Sequence, residues 1–89
     1  MYESSNKSST FNYKLIKKVG VLSSVGDYSK EVNVIAFNDG EPKVDIRTWH
    51  EGANGREMRK GVTLGIEEYM MLADLMNGIK DIDELFGTM

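Results

Sequence analysis

The sequence predicts an α+β domain in which four strands precede a single C-terminal helix. Three observations carry that expectation. Apolar residues recur at a period of two in separate stretches between Phe11 and Leu64. Clusters of Gly, Asn, Asp and Ser divide those stretches. After Leu64 the period changes, and Ile66, Tyr69, Met70, Ala73 and Met76 fall at helical spacing. With 89 residues the chain suffices for one small domain, whose core is marginal at that size.

Residues 1–10, MYESSNKSST, are polar and Ser-rich, which predicts a disordered arm ahead of one domain over residues 11–89. Phe11 to Ser23 is the first strand. Phe11, Tyr13 and Leu15 alternate there before Ile16, Val19, Val21 and Leu22 take over, and the change of phase predicts a bend or bulge near Lys17–Gly20. VGDYS is turn chemistry, KEVNVIAFN is the second strand, and NDGEP is a turn in which Gly40 is expected to supply positive φ. Lys43 to Glu51 is the third strand, GANG a flexible connection, and Met58 to Leu64 the fourth strand. Glu67 and Glu68 suit the positive end of the helix dipole, Gly78 is a stop, and KDIDELFGTM continues as a last turn.

Several function classes fall away on composition. The chain has no cysteine, hence no disulfide framework and no thiolate zinc site. No apolar stretch approaches the ~20 residues of a membrane span, and no signal-peptide pattern opens the chain. A cytoplasmic protein with no membrane partner is expected, nucleoid-associated in a bacterium. His50 is the single histidine, with no cysteine beside it, and reads as a surface residue. Asp81, Asp83 and Glu84 lack calcium-loop spacing, and the glycines form no phosphate-binding loop. No enzyme, metal or cofactor is expected.

The charge is uneven. Residues 1–64 carry a net +2 and residues 65–89 a net −5, within a total of −3. Local potential, with a reach of roughly 8 Å at cellular salt, governs steering. The positive part coincides with the strands.

Alternation places Lys43, Asp45, Arg47 and Trp49 on one face of the third strand, with Val44 and Ile46 toward the core. Phe37 joins the outer set or the core, and the fourth strand adds Arg59, Lys60 and Gly61, where glycine permits close backbone approach. Cations follow phosphates, and an exposed ring stacks on unpaired bases whatever the sequence. Asp45, repulsive to phosphate, is expected to hold Lys43 or Arg47 in position. The competing reading packs Trp49 at a sheet edge and leaves the cations as a solvated face. The helix is apolar over more than one side. Burying its Met and Leu side chains stabilises by about 1.5–3 kcal/mol each, which favours a homodimer through Tyr69, Met70, Leu72, Ala73, Met76 and Ile79. The competing reading sinks the helix into its own sheet.

KVDIRTW, then MRKGVTL, then an acidic-apolar helix ending in IKDIDELF, resembles the C-terminal domain of the transcriptional coactivator positive cofactor four. EPKVDIRTW is similar to small stand-alone bacterial relatives, and the resemblance covers roughly residues 30–86. It implies a four-stranded antiparallel curved sheet with one helix, dimerising through the helices. It also implies sequence-independent binding of single-stranded or melted DNA on the sheet face, in service of transcription or other DNA metabolism. By position Arg47, Arg59 and Lys60 match the family's basic residues, and Trp49 stands for its stacking aromatic, one position early. Lys30, Lys43 and Arg56 correspond to phosphate contacts. Gly65 departs from the expected Ser or Asn helix cap, and Val34 from a polar residue. Two other readings compete: RNA as the ligand, and a dimeric adaptor whose acidic helix and tail engage the transcription machinery or another protein.

Overall fold

A computed structural model describes residues 12–79 and 81–87. The arm expected over residues 1–10 lies outside them. Among the described residues four strands follow one another as an antiparallel meander in the order β1-β2-β3-β4: β1 (Tyr13–Val25), β2 (Tyr28–Phe37), β3 (Pro42–Gly52) and β4 (Gly55–Leu64). The helix α1 (Ile66–Asn77) comes next, then a short α2 (Ile82–Phe86). The expected order of four strands and a helix is the observed one.

The connections follow from turn chemistry. Val25 pairs with Tyr28 around Gly26, whose φ of 57° a two-residue hairpin loop requires. Gly52 pairs with Gly55 around Ala53–Asn54, so the stretch read as a flexible connection is a tight hairpin. At the NDGEP turn the expectation of positive φ at glycine is corrected. Asn38 (φ 49°) and Asp39 (φ 64°) take the left-handed conformation instead, which short polar side chains tolerate. Asn38 then ties the turn to the start of β1: its Oδ1 accepts from the Asn12 amide at 2.8 Å, and its own amide donates to the Asn12 carbonyl at 2.9 Å.

Curvature comes from β1. Its pairing with β2 slips three times, between Leu15 and Lys17, Lys18 and Gly20, and Val21 and Ser23. Ile16, Val19 and Leu22 are the extra residues, so the single expected bulge is three. Each bulge bends and twists the strand.

The bend closes the sheet over an unexpected face. Tyr13 lies opposite Phe37, and Trp49 lies opposite Ser29. Phe37 and Ser29 stand eight residues apart on β2, ~26 Å along an extended strand. Yet the Tyr13 and Trp49 rings have centroids 5.8 Å apart. Two far corners of the sheet therefore meet above the face that carries Glu31, Asn33, Ile35, Asp45 and Trp49, and all five are buried. The expectation of a core on the Val44–Ile46 side is corrected. Those residues, with Val32 and Val34, are only half-buried, and Val62 beside them is 50 % exposed.

Gly65 starts α1 in extended conformation (φ −70°, ψ 175°), and Glu68 Oε1 accepts from its amide at 3.0 Å. Glycine can offer no side-chain acceptor in return. Gly78 ends the helix, as expected. The last turn is a separate helix, started by Asp81, whose Oδ1 accepts from the Glu84 amide at 2.8 Å. No side chain of α1 is buried. Tyr69, Met70, Met71, Leu75 and Met76 are all exposed, and only Leu72 in α1 and Ile79 after it are half-covered.

Candidate nucleic-acid interface

The concave face begins with an ion pair. Arg47 donates from Nε and Nη2 to the two oxygens of Asp45, both at 2.6 Å, and from Nη1 to the Arg59 carbonyl at 3.0 Å. Thr63 Oγ1 donates to Asp45 Oδ1 at 3.0 Å. Asp45 is 0 % exposed, so the guanidinium is its compensation. The hydrogen bonds to Asp45 raise the Arg47 pKa further, against the opposing effect of burial. The carboxylate does hold an arginine in place, but so fully that few of that arginine's donors face outward.

Gly61 makes this geometry feasible. It lies opposite Arg47, and a Cβ there would sit 2.1 Å from the Arg47 Cβ and 2.7 Å from the Ile46 carbonyl oxygen. The close approach read from this glycine belongs to the protein's own arginine.

The second feature is a covered tryptophan. An exposed indole was expected; Trp49 is 2 % exposed. The curl of the sheet brings Tyr13 against it at 55° between ring planes, and the Arg56 guanidinium carbon stands 4.5 Å from its ring centroid. Arg56 is gripped in turn, with Nη2 2.7 Å from Glu31 Oε2 and Nε 2.8 Å from Glu51 Oε2. Burial pushes the Glu31 carboxyl up, but hydrogen bonds from Ser29 and Asn33 and the Arg56 cation outweigh it, and the pKa is lowered.

A cavity of about 450 Å³ opens on the same face, lined by Phe37, Lys43, Arg47, Met58, Thr63 and the start of α1. The Arg47 guanidinium carbon lies 5.7 Å from the Phe37 ring centroid. Phe37 is half-buried and Lys43 exposed. This settles the open choice for Phe37: it belongs to the concave set.

Not every candidate cation shares that face. Lys30 lies opposite Thr48, on the other side of the sheet. Arg59 turns to that side as well, with Nη2 3.1 Å from Glu57 Oε1 and its guanidinium carbon 6.0 Å from the Tyr28 ring. Glu57 also accepts from His50, at 3.0 Å, and that bond first, then Arg59, lowers the Glu57 pKa. Arg59 and Lys60 together oppose the single residue Thr48 in a bulge, and Lys60 is exposed there. Sequence reasoning missed Tyr13, Glu31, Met58 and Thr63. The alternation of Phe11, Tyr13 and Leu15 held the signal for Tyr13; nothing local showed that its corner of the sheet would reach Trp49.

Residues 27–75 match the family described as Transcriptional Coactivator p15 (PC4). An uncharacterized protein of Treponema pallidum (strain Nichols) is 37 % identical over 70 residues, which cover 78 % of this chain and 80 % of that protein. The curled meander and its helix thus fall in a family of DNA-binding domains. The chain belongs to the PC4 family. The match runs from Asp27 into α1 and contains Phe37, Lys43, Asp45, Arg47, Trp49, Arg56 and Gly61, while β1 with Tyr13 precedes it. No described helix is long and apolar enough to cross a membrane.

Proposed function

We propose that the concave face binds single-stranded or melted DNA without regard to sequence, as a cofactor of transcription or other DNA metabolism. One observation carries the reading: the cavity beside Phe37 brings an aromatic ring, Lys43 and Arg47 to one open surface. Arg56 extends that surface toward Trp49. Phosphates supply affinity through the cations, and an unpaired base fits a site with a ring at its wall. Of the remaining candidates, Lys60 sits at the sheet edge, where a strand leaving the face passes. Lys30 and Arg59 reach nucleic acid only if it continues around that edge.

The working form is a homodimer. Among the described residues, α1 leaves its apolar side exposed and the valine face of the sheet is half-open. A second copy covers them through Tyr69, Met70, Leu72, Ala73, Met76 and Ile79, because burying apolar area of this size is the dominant favourable term in association.

Anisotropy of a labelled oligo-dT, set against a duplex of equal length at two salt concentrations, tests the reading. Tighter binding of the single strand, weakening as salt rises, is the expected result. Equal binding of duplex and single strand would overturn it. A preference for oligo-U would turn it toward RNA, and capture of a protein with no oligonucleotide binding would favour the adaptor.

A further inference from the structure

The covered state of Trp49 leaves a question that the reading of the face does not answer: which group meets the base at this end of the channel. The indole is 2 % exposed, with the Arg56 guanidinium 4.5 Å from its centroid and Tyr13 against its ring. Tyr13 packs against the ring, so a base arriving from the Arg56 side could reach the indole only by displacing that arginine. That would break the contacts at 2.7 Å to Glu31 and 2.8 Å to Glu51. Glu31, whose side chain is 5 % exposed, would then be buried without its cation, a costly state.

We propose that Arg56, not Trp49, is the stacking surface: an unpaired nucleobase lies on the outward side of the Arg56 guanidinium, and Trp49 supports that group from beneath. The inference rests on the proposed function and assigns a specific role within it. A guanidinium is planar, weakly hydrated and always charged, and nucleobases stack on it as they do on aromatic rings. Arg56 meets the requirements. Its side chain is 34 % exposed, its inner side rests on an indole, and carboxylates hold Nε and Nη2. The two contacts fix the orientation of the group before any ligand arrives, so little side-chain freedom is lost on binding. Tyr13, 41 % exposed, packs against the same indole. The ligand class is an unpaired base with its flanking phosphodiester, the charge of Arg56 serving the phosphate and its plane the base. Glu31 and Glu51 are positioning residues.

Two measurements on the full chain test the assignment. In Arg56→Lys the charge stays and the plane is lost. The expected result is about tenfold or greater weakening for oligo-dT, with duplex affinity and the salt dependence of binding unchanged. The second uses the wild-type protein and does not depend on a variant folding. Trp49 is the only tryptophan, so its emission reports on that ring alone. It should change little at saturation with oligo-dT, while the anisotropy of the labelled strand reports full binding. Strong quenching of Trp49 emission at saturation overturns the assignment, since it means that the base reaches the indole itself. An Arg56→Lys variant that binds oligo-dT as wild type does also overturns it, with the reading of the face left standing. Wild-type protein that binds neither oligonucleotide overturns both.

Discussion

Removing a charge at Arg47 tests stability before it tests binding. Its partner Asp45 is fully buried, and taking away one member of such a pair typically costs about 3–5 kcal/mol. Arg47→Ala is expected to lower the urea midpoint sharply, whereas Lys43→Ala, at an exposed position, should leave it nearly unchanged and weaken oligonucleotide binding. Gly61→Ala forces a Cβ onto that of Arg47. A loss of at least about 1–3 kcal/mol is expected from overpacking alone, read from the same denaturation curve. Glu31 carries a pH signature. Its pKa is lowered in the folded chain, so its contribution is fully present above the ordinary carboxylate value of about 4.3 and is lost as pH falls through the depressed one. Thermal melts of wild type and Glu31→Gln should differ fully near neutrality and converge as pH falls below the ordinary carboxylate range. Residue-level chemistry was only partly legible in the sequence. The pairing of Asp45 with Arg47 could be read from two like-facing positions on one strand. The burial of Trp49 could not, because Tyr13 and Arg56 come to it from other strands.

At the scale of elements, period and turn composition located each strand and the helix to within a few residues. Local patterns report local geometry, which is why the positions of the turns and Gly78 were legible. The side of the sheet that forms the core was not. Alternation marks two faces and does not say which one curls inward; that depends on the three bulges of β1, which add Ile16, Val19 and Leu22 to one strand only. Polar residues then fill the concave side and compensate one another. The helix shows the converse. Its apolar stripe was plain in the sequence, and in the folded chain α1 buries none of it. Met70→Asp discriminates here. Met70 is exposed in the single chain, so a monomer would tolerate the change within about 0.5 kcal/mol, as surface substitutions generally are. A dimer joined through α1 would come apart, and sedimentation should report half the mass of the wild-type particle.

The whole molecule combines two surfaces to which the proposed function gives different tasks. A curled sheet presents Phe37, Lys43, Arg47 and Arg56 on its concave side, while α1 leaves its apolar side chains exposed and the valine face is half-open. Charge is divided along the chain too: residues 1–64 carry a net +2 and residues 65–89 a net −5, and Glu68 of the acidic part lines the cavity itself. The most direct test maps amide shifts by NMR while oligo-dT is added to the protein. Perturbations are expected to concentrate at Phe37, Lys43, Arg56, Met58 and Thr63 on the concave side. A map centred instead on Tyr28, His50 and Glu57, across the sheet, would contradict the account.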